Sequence, residues 1–366
     1  MATTAAARAM SFSGSYDPVD VAFLLKPVTL APTDVATKER LIQSGARHYS
    51  EMLSAETLPD ARYLTLFDDA LARNGARLAQ DVVNLAGALA QRKGAGEMVV
   101  ASLARAGTPI GVLLARALRR MGIACPHYAI SIVRDRGIDT NALAHIAAHH
   151  DPAGIVFVDG WTGKGAIAGE IARSLAHRPF GVAPYLAVIA DPAGCADLAA
   201  TGDDYLIASG LLNAIVSGLV SRSILNAQLV GRRDFHACVV YPQFAPHDRS
   251  RAFVDAIDRL AQGMAPHAID DRDDARAARR LACNTLVADL MARTGVTDRN
   301  RIKPGIAEAT RAVLRRVPDR LYVRDPADPD VAHLIHLATT RDIAVDRLPA
   351  DAHYRAVAVI RSLGAE

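Results

Sequence analysis

A short apolar strand followed at once by a glycine-rich turn is the feature that most constrains the fold of this chain. Residues 154–158 read Gly-Ile-Val-Phe-Val, and residues 159–165 read Asp-Gly-Trp-Thr-Gly-Lys-Gly. An uninterrupted run of β-branched and aromatic residues is typical of a strand that is buried on both faces. Residues 166–172 are suited to a helix. Strand, tight turn and helix together favour an α/β fold with a parallel sheet.

The turn has the composition of an anion-binding loop. Its three glycines let backbone N–H groups approach a ligand closely. The helix that follows adds the positive end of its dipole. Thr162 contributes a hydroxyl, Lys164 an ammonium group and Asp159 a carboxylate at the strand end. We therefore predict that this turn holds a phosphate group.

Two other interpretations of the turn stay open. An ATP-binding P-loop requires Gly-x-x-x-x-Gly-Lys-Ser/Thr. In this chain Gly160 lies too close to Gly163, and Gly165 stands where the hydroxyl is needed. Glycine-rich turns also join strands to helices in α/β proteins that bind nothing there.

Two further segments are suited to phosphate at strand ends. Residues 97–111 read as a strand, a turn of small residues and the start of a helix. Residues 128–137 read as a strand that ends in two arginines. Ligands of α/β sheets bind outside the carboxyl ends of the strands. The three turns are therefore predicted to form one site.

In their order along the chain, the three segments resemble the phosphate-binding loops of the type I phosphoribosyltransferases. In that family an apolar strand, an acid and Thr-Gly-Gly or Thr-Gly-Lys hold the 5-phosphate, and Thr162-Gly163-Lys164 match this pattern. Residues 97–111 resemble the pyrophosphate loop, and a basic residue near Arg134 faces pyrophosphate in the family. Most members carry two adjacent acids before the threonine. This chain has Phe157 and Val158 there, with one acid, Asp159, after them.

Over residues 11–366 the chain is more similar to one bacterial phosphoribosyltransferase-like family, which is found with tellurium-resistance and stress genes. The resemblance rests on residues 12–17, 21–27, 213–222 and 302–306. Members of that family are often labelled cysteine protease StiP, and many end in a Pelota-type RNA-binding module. The resemblance implies a type I phosphoribosyltransferase-like α/β fold, with a doubly wound parallel sheet, a helical extension and a small C-terminal α/β module.

The reaction implied by the resemblance is glycosyl transfer from phosphoribosyl pyrophosphate to an acceptor, with release of pyrophosphate. Such a reaction depends on positioning and on electrostatic stabilisation more than on acid–base chemistry. Mg²⁺ is the implied cofactor, held by substrate oxygens, waters and Asp159. The expected enzyme is a pentosyltransferase that makes or remodels a nucleoside-like metabolite. The acceptor and the direction of the reaction stay open.

The resemblance also implies a set of site residues. The catalytic residues are predicted to be Asp159, Arg105 and Arg136, with Asp159 also as a metal ligand. The substrate-binding residues are predicted to be Ser102, Ala106, Gly107, Thr108, Arg134, Gly160, Trp161, Thr162, Gly163, Lys164 and Gly165. On the acceptor side, Ser13, Ser15 and Tyr16 follow from the resemblance, whereas Asn213, Ser217 and Arg222 are predicted from their helical spacing, which would put their polar groups on one face. For the acceptor-side residues the structural alternatives are an N-terminal strap and hydrogen bonding between domains.

The predicted organisation is a strap over residues 1–35, the phosphoribosyltransferase-like domain over 36–235, a helical extension over 236–317 and the Pelota-like module over 318–366. Three local predictions concern regions outside the phosphate loops. They are a helix over 33–56, a strand over 204–207 and a helix over 212–225.

Composition excludes several classes of protein. Four widely spaced cysteines without a Cys-x-x-Cys pair argue against disulfides and zinc sites. A formal charge of +3 does not indicate a globally basic nucleic-acid binder. The sequence contains neither an apolar stretch of membrane-spanning length nor a signal peptide, so a cytoplasmic protein without membrane partners is expected. A homodimer stays open.

Two other functions stay open beside the transferase. The first is an RNA-binding stress protein with a degenerate nucleotide site, in which C-terminal arginines meet phosphates. These arginines are Arg311, Arg315, Arg316, Arg320, Arg324 and Arg341. The second is a cysteine hydrolase, for which Cys125 with His127 and Cys238 with His236 are the nearest pairs in sequence. Neither pair has the sequence context of a known nucleophile.

Overall fold

In the computed structural model of this protein, residues 11–93, 96–270 and 272–362 are described. The α-helices in these residues are α1 (Val35–Gln43), α2 (Ala61–Lys93), α3 (Gly107–Arg120), α4 (Thr140–His149), α5 (Ala166–Ser174), α6 (Ser250–Ala261), α7 (Asp273–Thr294), α8 (Ile306–Arg315) and α9 (Ala332–Thr340). Short 3-10 helices lie at Tyr49–Glu51, Pro152–Gly154, Pro179–Gly181, Ala208–Gly210, Ala214–Val216, Pro242–His247, Arg299–Arg301 and Pro329–Val331.

The strands of the described residues form a large sheet, a small sheet and two short pairs. They are β1 (Ala22–Phe23), β2 (Lys26–Pro27), β3 (Val99–Leu103), β4 (His127–Ile130), β5 (Ile132–Val133), β6 (Gly137–Ile138), β7 (Ile155–Trp161), β8 (Leu186–Ala190), β9 (Leu198–Thr201), β10 (Ala237–Cys238), β11 (Ile302–Pro304), β12 (Pro318–Val323), β13 (Ala344–Arg347) and β14 (Ala356–Ile360).

The large sheet has six strands in the order β1-β4-β3-β7-β8-β9, and all neighbouring strands are parallel. Its central strands are buried on both faces, as their apolar sequences predict. Val156 and Val158 pack on the face covered by α2, α3 and α6, whereas Phe157 packs on the face covered by α4 and α5. The predicted doubly wound α/β class is confirmed.

The small C-terminal sheet has the order β11-β14-β12-β13 and is mixed, because only β12 and β13 are parallel. Its first strand, Ile302–Pro304, falls in the range predicted as a helical extension, so the sheet begins earlier in the chain than residue 318. The module shares one apolar cluster with the large domain, and polar contacts add to this packing. The hydroxyl of Tyr354 donates to the carbonyl of Gly163 at 2.7 Å, and Arg316 pairs with Glu39 of α1 at 2.6 Å.

Three local predictions are wrong, each for an identifiable reason. The helix predicted over 33–56 ends at Gln43, since Gly45 follows with a φ of 70°. The helix predicted over 212–225 is interrupted by left-handed backbone at Gly218 and Leu219, which have φ values of 82° and 61°.

The strand predicted over 204–207 is instead irregular chain, and the edge strand of the sheet is β9. Asp204 has another role there. Its carboxylate accepts hydrogen bonds from the backbone N–H groups of Ile306 at 2.9 Å and Arg355 at 2.8 Å, which ties this segment to the C-terminal module.

The N-terminal segment predicted as a strap packs against the chain around Gly218. Ser15 N–H donates to the Gly218 carbonyl at 3.2 Å, and the Tyr16 hydroxyl donates to the Val216 carbonyl at 2.8 Å. The first ten residues of the predicted strap lie outside the described residues. Within the described ranges, no helix is long and apolar enough to cross a membrane.

Candidate functional site

Two cavities of similar size lie side by side near the carboxyl ends of the large sheet's strands. The first cavity, of about 290 Å³, is lined by the turn after β7, by α1 and by β11 and α8 of the C-terminal module. The second cavity, of about 300 Å³, lies against the segment around Glu56, the turn after β3 and the segment around Asn213. Lys38, Arg222 and Arg315 line both cavities and so form the wall between them.

The predicted phosphate turn forms one wall of the first cavity. Gly163, Lys164 and Gly165 line it, and so do the first three residues of α5. Gly165 has a φ of 81°, a left-handed conformation that glycine adopts without strain. The positive end of α5 and its unpaired first-turn N–H groups therefore lie at the cavity.

Positively charged side chains dominate the first cavity. Eight cationic residues line it in the described structure, against two carboxylates, Asp159 and Glu308. The cations are Lys38, Arg134, Lys164, Arg222, Lys303, Arg311, Arg315 and Arg316. Lysine is rare in this chain, with five in 366 residues, yet three of the five lie here. Such a concentration of like charge favours a ligand that carries several negative charges.

The lysines of the cavity lose part of their usual basicity. Burial, together with Lys303, lowers the pKa of Lys164 to about 7. Burial likewise lowers the pKa of Lys303 and of Lys38 to about 8 each, with Arg316 acting on the first and Arg222 on the second. Each positive charge disfavours protonation of its neighbours, so the cations of the ligand-free site repel one another.

The arginines and Asp159 show the same environment. Burial and the neighbouring Arg105 lower the pKa of Arg315 well below its ordinary value, and burial lowers that of Arg222 to about 10. Burial raises the pKa of Asp159 to about 6, even though Arg311 and the Gly160 N–H, 2.8 Å away, favour its charged form. A buried carboxyl that titrates near neutral pH is frequent at functional sites.

Trp161, the only tryptophan of the chain, lines the first cavity. The guanidinium of Arg311 lies 4.6 Å from the centre of an indole ring, a cation–π distance. Lys164 donates to the carbonyl of Ile302 at 2.8 Å and to that of Arg299. The phosphate turn and the C-terminal module are thus in direct contact at the cavity.

The second cavity combines a buried ion pair with an apolar wall. Arg105 lies 3.2 Å from the Glu56 carboxylate and donates to Asn213 at 2.8 Å. Burial opposes ionisation of Glu56, but Arg105 and Arg315 hold its pKa below the usual value. Leu53, Leu58, Leu211, Phe244, Leu314 and Leu337 supply the apolar surface.

The structure brings together only part of the predicted set. Asp159, Trp161, Thr162, Gly163, Lys164, Gly165 and Arg134 line the first cavity, Arg105 and Asn213 the second, and Arg222 both. The Thr162 hydroxyl is already used, since it donates to the carboxylate of Asp191. Arg136 lies outside both cavities, exposed and paired with Glu51 at 3.4 Å.

The turn after β3 contributes less than predicted, because only Arg105 reaches a cavity. Ser102 is buried and hydrogen bonded to His127 at 2.7 Å. Gly107 packs against the backbone of β7, where an added Cβ would lie 2.3 Å from the Val158 carbonyl oxygen. Ala106, Thr108 and Gly160 also line neither cavity.

On the predicted acceptor side, only Asn213 and Arg222 reach a cavity. Their predicted helix is absent, so helical spacing is not what places them. Ser217 is buried and donates to the Asn213 carbonyl at 2.8 Å. Ser13, Ser15 and Tyr16 line neither cavity.

Sequence reasoning missed several residues of the first cavity. They are Lys38, Tyr49, Lys303 and Glu308, together with Arg311, Arg315 and Arg316, which were considered only for RNA. Their elements are far from the phosphate turn in the chain. The scarcity of lysine is the one sequence signal that could have drawn attention to Lys38 and Lys303.

The thiols lie outside both cavities in the described structure. Cys125, Cys238 and Cys283 are buried, and Cys195 is partly exposed. The histidines of the two His–Cys pairs considered from sequence bond to serines, His127 to Ser102 at 2.7 Å and His236 to Ser131 at 2.8 Å.

Comparison with known proteins identifies the family. The model described as tellurite-like stress resistance cysteine protease StiP matches residues 14–258. A curated protein of Acinetobacter baylyi, named cysteine protease StiP, is 44% identical over 96% of this chain and 95% of its own length. The chain belongs to the StiP family. A second model, described as a Pelota RNA-binding domain, matches residues 282–362, which confirms the expected C-terminal module of this StiP-family protein.

Solved structures of the hypoxanthine phosphoribosyltransferase of Trypanosoma cruzi also match the StiP-family chain. A mutant in complex with the product IMP shows 14% identity and a TM-score of 0.27, covering 48% of this chain and 91% of that one. A second structure, determined at 1.4 Å, shows 13% identity and a TM-score of 0.29, covering 45% and 92%. Superpositions at this TM-score do not bear on function.

Proposed function

We propose that this protein is a phosphoribosyltransferase-type enzyme that uses phosphoribosyl pyrophosphate and Mg²⁺. The observation that carries the proposal is the first cavity, in which eight cations and a helix N-terminus surround Asp159 at the end of β7. A sugar with phosphate groups at both ends matches this charge. In the reaction the C1–oxygen bond to pyrophosphate breaks and pyrophosphate leaves with the electron pair, while a lone pair of the acceptor bonds to C1 and the acceptor releases its proton to solvent.

The second cavity is suited to the acceptor. It shares the wall of Lys38, Arg222 and Arg315 with the first cavity, so a ligand in each would lie close to the other. Its apolar surface and the polar groups of Glu56, Arg105 and Asn213 are suited to a heterocycle with a few hydrogen-bonding groups. The product would be a nucleoside-like metabolite.

The chain provides few ligands for the magnesium ion. In the described residues no group of three or more His, Cys, Asp or Glu residues could hold a metal. Asp159 is the carboxylate at the phosphate turn, so Mg²⁺ would be held mainly by substrate oxygens and waters, as is usual for this ion with phosphates. Its role when bound is to neutralise the leaving pyrophosphate.

The emission of Trp161 is expected to report binding of phosphoribosyl pyrophosphate. As the only tryptophan, it gives a signal from the cavity alone. We expect a saturable change with phosphoribosyl pyrophosphate and Mg²⁺, weakened about tenfold or more in Arg134→Ala, because a charge-assisted hydrogen bond is lost. Arg136→Ala, two residues away and outside both cavities, is the matched control. A response to ATP alone would favour the P-loop interpretation and contradict the proposal.

The alternative of a cysteine hydrolase rests on the names that the family and the relative carry. Burial raises the pKa of Cys125 and Cys238 to about 12 each and that of Cys195 to about 11. A nucleophilic cysteine needs the opposite shift. We therefore expect iodoacetamide at pH 7.5 to alkylate the folded protein about a hundredfold more slowly than the urea-unfolded chain, as followed by intact mass. Rapid alkylation of one thiol, together with loss of a hydrolytic activity, would support a cysteine hydrolase.

A second candidate function, RNA binding, is favoured by the Pelota match over residues 282–362. The six arginines considered for this role are largely engaged. Arg311, Arg315 and Arg316 line the first cavity, Arg341 the second, Arg320 pairs with Asp346, and Arg324 donates to a carbonyl. We expect an RNA gel shift, if one is seen, to be competed by phosphoribosyl pyrophosphate. Binding insensitive to that competitor would place RNA on another surface.

A further inference from the structure

The carboxylate of Glu308 enters the phosphate turn from the C-terminal module. Glu308 lies in the first turn of α8, and its side chain packs directly on Gly163. A Cβ at Gly163 would lie only 2.5 Å from the Cγ of Glu308, so a larger residue there would displace the Glu308 side chain. The contact joins the two parts of the chain at the ligand cavity itself.

Glu308 is charged and only partly satisfied. Burial opposes its ionisation, but Arg311, Lys303 and Lys164 hold its pKa below the usual value. Arg311 lies 3.3 Å from one carboxylate oxygen, and the Trp161 side chain also favours the charged form. A carboxylate accepts about four hydrogen bonds. Because 31% of its side-chain surface is accessible and it lines the first cavity, acceptor capacity remains toward a ligand.

The remainder of the cavity is poor in free side-chain acceptors, since the Tyr49 hydroxyl already accepts from the Arg134 N–H at 2.8 Å and the Thr162 hydroxyl is bonded to Asp191. Lysine and arginine donate hydrogen bonds and accept none. Eight such residues can hold phosphate oxygens, but they leave the hydroxyl groups of a sugar without an acceptor. In the described residues, Asp159 and Glu308 are the two carboxylates that line the cavity.

We propose that Glu308 contacts the substrate and accepts a hydrogen bond from a sugar hydroxyl, an inference that rests on the proposed binding of a phosphorylated sugar. The C-terminal module then supplies part of the recognition of the sugar. The cavity selects a phosphorylated polyol over an inorganic polyphosphate of similar charge. Glu308 is thus a specificity residue contributed from outside the sheet domain.

The test compares two phosphates by calorimetry in wild type and variants. Ribose 5-phosphate carries hydroxyls, whereas butyl phosphate carries the same phosphate without them. We expect Glu308→Ala to reduce the ratio of their affinities about tenfold, because the charged acceptor is lost. The isosteric Glu308→Gln, which retains the packing on Gly163, is expected to reduce it less. Affinity for inorganic pyrophosphate should not fall in either variant, because a negative charge has been removed.

Glu170→Gln is the matched control. Glu170 is buried, bonds to the Asp135 N–H at 2.7 Å and lies outside both cavities, so the ratio should not change. An unchanged ratio in Glu308→Ala would overturn the inference. Tighter binding of both phosphates by the same factor would do the same, since it would mean that Glu308 only repels anions. A reduced ratio in a protein that transfers no glycosyl group would keep this inference and overturn the proposed function. Wild type that binds no phosphate would overturn both.

Discussion

Between pH 7 and pH 8 the ligand-free protein is expected to become more stable to urea by about 1 kcal/mol. In the folded protein the pKa of Lys164 is lowered to about 7, and those of Lys38 and Lys303 to about 8. The unfolded lysines titrate near 10.4, so the unfolded chain holds more protons throughout this window. Stability must then rise with pH. Above pH 8 the buried thiols, whose pKa values are raised, lower the stability of the folded protein as the pH rises.

Inorganic pyrophosphate is expected to remove this pH dependence and to raise the free energy of unfolding by about 2.7 kcal/mol at a hundred times its Kd. An anion in the first cavity favours charged lysines, so binding at pH 8 should take up protons. Affinity should fall as the pH rises, and calorimetry in buffers of different ionisation enthalpy measures the uptake. Lys303→Met should reduce the pH slope, whereas Lys26→Met, outside both cavities, should retain it. Proton release on binding would contradict this account of the site.

Gly107→Ala is expected to destabilise the protein by about 3 kcal/mol or more. Helix α3 begins at Gly107, where it approaches the backbone of β7. The added Cβ would lie 2.3 Å from the carbonyl oxygen of Val158, which cannot move without distorting the central strand. Since Asp159 follows Val158, pyrophosphate binding should weaken as well. Urea unfolding curves measure the first effect and calorimetry the second.

Gly160→Ala is the control for this substitution. Gly160 lies at the same junction, but a Cβ there would be 3.7 Å from the Ala106 carbonyl oxygen, an ordinary contact. Its effect on the midpoint of unfolding should be small. Equal midpoints for Gly107→Ala and wild type would show that β7 and α3 separate more easily than the structure implies.

The parts of the fold that sequence predicts are those fixed by local pattern. The buried run from Ile155 to Val158 favoured an interior strand through its β-branched and aromatic residues, and the glycines after it marked the turn. The chain around residues 212–225 was misjudged because its apolar residues suit a helix. Gly218 and Leu219 adopt left-handed backbone there, which depends on packing with the N-terminal segment.

The candidate site also has a part that local sequence predicts and a part that only the fold brings together. The phosphate turn was predicted because its residues are consecutive, and so was its acid, Asp159. Lys38 and Glu308 reach the same cavity from α1 and α8, which are remote in sequence from the turn and from each other. Neither carries a local signal, because a single lysine or glutamate on a helix is ordinarily solvated. Arg136 had the better sequence argument but extends away from the site.

The hydroxyl of Tyr354 donates a hydrogen bond to the Gly163 carbonyl, and Glu308 fills the space that a side chain at Gly163 would need. The phosphate turn and the C-terminal module are therefore not separable parts of this molecule. A chimera that exchanges the C-terminal unit between two relatives would inherit part of its chemical preference from the donor of that unit. Any ligand bound between these two parts would also stabilise their contact against separation.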